Sequence, residues 1–251
     1  LRTLIKPIFS ALISILIIVA SLDSAILIHE WEHGLMAWIN NVKSNPLDIY
    51  YGDWTLLNVD ENVDYESLFK AGRNWAVAFI AITPITVNAI ITIICFILMN
   101  LRKIQMHKWV YAFIFWFCAF NLSEFFSYIP IRTFVTHADV ANFNRALKFS
   151  PWLVCIPGTL FSIIGIFYFY RKILPMAYCF LKSNHILKRS TYLAETIFIF
   201  FFMGGYRGAY HYGSISALMG TISLCCIPIA FILCFPSRKW VTAEIEKAAQ
   251  Q

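Results

Sequence analysis

Residues 8–28 are apolar apart from a few serines and Asp23, and they run with no turn signal into His29, Glu30, Trp31, Glu32 and His33. A run of that length folds as a helix that either crosses a bilayer or lies at the centre of a large core. Composition decides between the two. Hydrophobic residues make up 59% of the chain and charged residues 14%, whereas ordinary soluble domains carry about 25% charged residues. No hydrophilic stretch is long enough to fold apart. The expectation is an all-α polytopic membrane protein.

A bilayer crossing takes about 20 apolar residues, and roughly six such windows are present, at 8–39, 74–100, 109–129, 151–170, 192–206 and 214–235. The first is too long for one upright crossing and is expected to bend or break at 21–24. The fifth is short and reads as a tilted or incomplete crossing. Alternating the crossings puts most of the 20 Lys and Arg on the side of Arg2, Lys6, Arg102, Lys103, Arg171 and Arg238. Basic loops stay in the cytoplasm, so both termini are expected inside. The formal charge of +6 is absorbed by this pattern and implies no nucleic-acid partner. The seven cysteines contain no CxxC pair and read as small apolar residues. No small-residue cleavage site follows the first apolar run, so no cleavable signal is expected.

The longest polar connection, 40–73, lies on the outer side. Its part 47–57 is rich in strand formers, and a short strand element turning at Gly52 and Asp53 is expected. The chain divides into a core over 1–150 and additional transmembrane helices with a short tail over 151–251. Oligomeric state is not legible in the sequence.

Ionisable groups inside an apolar helix are costly and mark a function. Here the spacing names it. Residues four apart stand one turn above each other, so His29 and His33 share a face. Two imidazoles so placed can bind Zn²⁺, and Glu30 can serve as general base toward water. A catalytic zinc site usually takes three protein ligands. The third is expected at the same depth, near the outer ends of the spans, where Asp139 ranks first, Glu124 second and His137 third. Asn121 and Arg132 are candidates to contact substrate or its oxyanion, and Tyr50, Asp53 and His137 to line a water path. His107 and His185 lie in inner loops, and His211 in an outer one.

His29-Glu30-Trp31-Glu32-His33-Gly34, followed by an aspartate in a later segment, resembles the site-2 protease family of intramembrane zinc metalloproteases. Residues 82–88, with Pro84 and Asn88, are similar to the family's Pro…Asn stretch in its second core helix. The resemblance covers about residues 8–150. It implies a three-helix metalloprotease core, an aspartate ligand for which Asp139 stands, Asn121 and Pro130 in place of the family's Asn and Pro, and a strand-like element at 47–57 that holds substrate. No Asp-Gly pair lies near the third span, which departs from the family pattern. The implied activity is hydrolysis of a peptide bond within or near a transmembrane segment of a membrane-protein substrate. The rival readings are a divalent-metal transporter and a catalytically silent membrane scaffold.

Overall fold

The computed structural model describes residues 2–53, 56 and 58–250, and of residues 2–8 the backbone alone. In chain order its α-helices are α1 (Arg2–Ile39), α2 (Tyr65–Lys70), α3 (Asn74–Met99), α4 (Arg102–Gln105), α5 (Lys108–Phe126), α6 (Asp139–Leu147), α7 (Trp152–Tyr168), α8 (Leu174–Phe180), α9 (Ile186–Ile197), α10 (Ser214–Leu233) and α11 (Lys239–Ala249). π-helical segments extend α5 (Ser127–Ile131), join α7 to α8 (Phe169–Ile173) and extend α9 (Phe198–Tyr206). Among the described residues the regular secondary structure is helical, and 5 helical runs are long and apolar enough to cross a membrane: Phe9–Ile39, Asn74–Met99, Lys108–Ile131, Trp152–Phe180 and Ser214–Leu233. It is an integral membrane protein by these helices.

The fifth expected crossing falls in the run from Ile186 to Tyr206, which is continuous helix but carries Lys188, Arg189 and Glu195 in its first half. It travels alongside α5 in the same direction. Tyr192 stacks on Trp116 in the first half of α5 at 5.7 Å, and Gly204 lies against Ser123 in the second half. The expected break at 21–24 does not form, and α1 is a single helix of 38 residues. Ser21 is tolerated there because it is buried and its hydroxyl donates to the carbonyl of Ile17 at 2.7 Å while also reaching that of Phe113 at 3.3 Å.

Helices α1, α3 and α5 pack pairwise against one another, and α6 lies on α3. The close approach rests on small residues, as it must where lipid removes the hydrophobic drive between helices. Ala25 and Ala37 of α1 and Ala76, Ala78 and Ala81 of α3 are all buried. Helix α5 is the hub. One side meets α1 and α3, and Tyr111, Phe115, Cys118 and Leu122 share a core cluster with Phe169, Ile173 and Phe200 from the second half of the chain. The segments 1–150 and 151–251 therefore share one apolar core. Large side chains on the outer faces, such as Phe9, Leu16, Ile97, Ile163 and Leu218, are exposed, as lipid-facing residues are.

The expected strand over 47–57 is absent among the described residues. One antiparallel bridge forms instead, in which Tyr50 and Asp60 exchange both backbone bonds at 2.9 Å. Pairing stops there because Gly52 and Leu56 take left-handed φ values of 65° and 54°, which extended strands cannot hold. Residues 54, 55 and 57 of that expectation lie outside the described residues.

Candidate metal centre

The α-helical turn between His29 and His33 sets their rings one above the other, with centroids 5.0 Å apart and planes at 76°. Both Nε2 atoms converge on one carboxylate oxygen, Asp139 Oδ2, at 3.4 Å from His29 and 3.3 Å from His33. Those three residues are buried, and their ligand atoms lie within 4.8 Å of one another. Asp139 arrives as the first residue of α6. Ala138 before it holds φ at 134°, a value that non-glycine residues rarely adopt.

Each imidazole is oriented from behind by α3. Pro84 has no N–H, so the carbonyl of Ile80, four residues earlier, has lost its helical donor. His33 Nδ1 donates to that carbonyl at 2.8 Å. This fixes the tautomer and leaves Nε2 as a lone pair aimed at Asp139. One turn beyond Pro84, Asn88 is fully buried and its amide lies 3.1 Å from His29 Nδ1. Turning that amide over lets its oxygen accept from Nδ1–H, which frees His29 Nε2 as a ligand. On the remaining side Tyr128, carried inward by the π-helical turn, stacks on the His29 ring at 4.7 Å. Gly34 lets the loop at Pro46 pass directly over the motif; a Cβ there would collide with the Pro46 carbonyl.

The donor set suits a divalent ion. His29 Nε2 and Glu30 Oε2 are buried with no hydrogen-bond partner among the described residues, and orphaned buried polar atoms call for an explanation. A cation held by two imidazoles and one carboxylate satisfies the first and places the second beside it. Nitrogen and oxygen donors of this kind fit zinc.

Two neighbours complete the surroundings. Glu61 from the outer connection joins Glu30 and His33 in a second group whose ligand atoms also lie within 4.8 Å. Tyr65 reaches to 3.4 Å from His33 Nδ1. Burial, followed by Glu61 and Asp139, pushes its phenol well above the ordinary range, so it remains an O–H donor. On the Glu30 side lies a cavity of about 350 Å³. Leu22 and Ile26 of α1 line it below Glu30, Glu124 and Arg132 project from α5 and its extension, and Met203 and Arg207 close it from the second half of the chain.

Of the sequence candidates, His29, His33 and Asp139 come together. Glu124 and Arg132 line the cavity and stand outside the triad. His137 is exposed, with Nδ1 3.1 Å from the Thr136 hydroxyl. Asn121 is buried within α5, where its amide donates to Phe117, and it does not line the cavity. Tyr50, Asp53 and His137, expected along a water path, do not line the cavity either. Glu61, Tyr65 and Arg207 were not anticipated; the signal available for Glu61 was its place in an acidic stretch of the outer connection. No protein-family model, no curated protein and no solved structure matches this chain.

Proposed function

We propose that this protein is an intramembrane zinc metalloprotease of the site-2 protease type, hydrolysing a peptide bond in or near a membrane-spanning segment of another protein. The observation that carries the reading is the convergence of His29, His33 and Asp139 on one point, with the unpartnered carboxylate of Glu30 beside it. A Zn²⁺ ion held by His29, His33 and Asp139 supplies Lewis acidity toward water and toward a carbonyl. Glu30 takes a proton from the attacking water and returns it to the leaving amine. Ile80, Asn88 and Tyr128 keep the two imidazoles in place through the reaction. The cavity beside Glu30 gives water and the substrate backbone a route from the outer side.

We further read the Ile186–Tyr206 run as a sixth crossing, since it parallels α5; both termini are then cytoplasmic and the site lies nearer the outer or lumenal face. A metal transporter needs polar groups that continue beneath the site. The cavity instead ends on Leu22, Ile26 and Phe120, which argues for hydrolysis. The test uses the purified full chain, loaded with zinc, and a mixture of fluorogenic transmembrane-helix peptides in proteoliposomes. Cleavage by the wild type that is lost with a chelator and in Glu30→Gln is expected. Equal cleavage by Glu30→Gln, or no cleavage of any peptide by the loaded wild type, overturns the assignment.

A further inference from the structure

Arg132 is held in an unusual way for a residue at this depth. Its guanidinium lies 4.7 Å from the Tyr128 ring and 5.4 Å from the Tyr212 ring. Among the described residues it makes no hydrogen bond or ion pair, and its Nε is buried without a partner. Two aromatic faces fix the position of a guanidinium while leaving its N–H edge free. That edge borders the cavity which Glu30 also lines. Arg207 stands exposed at the mouth of the same cavity, supplied by the loop after the last π-helical segment. Glu124 lies in the same wall and makes no hydrogen bond among the described residues. The two arginines are matched in number by the two carboxylates lining the cavity, Glu30 and Glu124, so an entering carboxylate is favoured by the unused donors of Arg132 and not by an excess of charge. A planar guanidinium with unused donors is built to receive a carboxylate in the plane of its fork.

We propose that this cavity is a substrate subsite that takes a carboxylate next to the bond being cut, received by Arg132 and drawn in by Arg207. The proposal rests on the metalloprotease reading of the neighbouring centre and adds the class of residue that the centre prefers. It gives the second half of the chain a role, because Arg207, Gly208 and Tyr212 all come from it. Gly204 permits the approach: a Cβ there would lie 2.5 Å from the Ser123 hydroxyl, pushing the wall off α5. The carboxylate has two sources, an acidic side chain within a substrate or the free C-terminus of a peptide.

Three hydroxamates separate them. All carry the metal-binding group on a malonyl linker, followed by alanine amide, by aspartic acid α-amide, or by alanine with a free carboxylate. Binding to the zinc-loaded full chain in detergent is measured by calorimetry. One of the two acidic compounds is expected to bind about tenfold more tightly than the neutral one, and which one identifies the source. The advantage should vanish in Arg132→Gln, persist in part in Arg132→Lys and grow in Glu124→Gln. Equal affinity for all three in the wild type overturns the subsite while leaving the metal centre standing, a result that needs no variant to fold. No binding by any of the three, with zinc shown to be present, overturns the metal-centre reading and the subsite with it. Arg207→Gln, at an exposed position, provides a second variant; an unchanged preference there removes Arg207 from the proposal.

Discussion

The two faces of the His29–His33 turn are built on opposite plans. Toward α3 and α6 the imidazoles are positioned from behind, His33 Nδ1 by the Ile80 carbonyl and His29 Nδ1 by the Asn88 amide, while both Nε2 atoms face Asp139 Oδ2 and His29 Nε2 has no hydrogen bond among the described residues. Toward α5 and the second half of the chain, Glu30 Oε2 and Arg132 Nε are buried without partners, and a cavity opens between them. Buried unpartnered groups cost stability. On the proposed function, the difference teaches that one face would position a bound ion while the other would stay open to water and substrate.

Breaking the braced face should show the larger effects. Asn88→Ala removes the support behind His29 and should weaken zinc affinity by about 10- to 100-fold, measured by competition with a chelating dye; unchanged affinity would mean that Asn88 only fills space. Pro84→Ala comes next. It restores an N–H that competes for the Ile80 carbonyl, loosens the His33 tautomer, and should cost about tenfold in affinity while leaving the helix as stable or more so. On the open face the sign reverses. Glu30→Gln removes a buried unpaired carboxylate, so the apo protein should melt a few degrees higher, roughly in proportion to ~1 kcal/mol, with zinc affinity nearly unchanged. A lower melting temperature would place Glu30 among the braced groups.

The smallest effect lies at the rim, where Arg145 on α6 forms a two-bond ion pair with Glu66 on α2 and lies over Phe69. The hydrogen bond to Arg145 holds the Glu66 carboxyl below its ordinary value. A depressed carboxylate contributes stability above its unfolded pKa of about 4.3, and that contribution is lost as pH falls through the lower folded value. Glu66→Gln should therefore melt slightly below wild type near neutrality, the gap closing under acid conditions. A constant gap from neutral to acid pH would rule out the ion pair as its cause. Both side chains are exposed, so the effect stays small.

Much of the braced face was legible before any coordinates. Four-residue spacing makes the histidines neighbours within one helix, and alternation of the spans brings Asp139 to the same end of the bundle. What supports them was not legible as such. Pro84 and Asn88 stand out in the sequence, but only the antiparallel register of α1 and α3 shows that the carbonyl released by one and the amide of the other meet His33 and His29. Glu61 depends on a loop that folds back through a single bridge, where a stretch rich in strand formers suggested a short strand element turning at Gly52 and Asp53. The open face was least legible, because its walls come from residues far apart in the chain, Glu30, Arg132 and Arg207, with no shared pattern. Asn121 shows the converse error: a polar residue in an apolar span whose amide N–H bonds its own helix and which does not line the site.

The central claim is that His29, His33 and Asp139 hold one zinc ion together. Elemental analysis of the purified full chain, beside His33→Ala and Asp139→Ala prepared identically, tests it most directly. The account predicts about one zinc per chain in the wild type and a near-complete loss in both variants. Absence of metal from the wild type after zinc loading, or equal zinc in all three proteins, would contradict it.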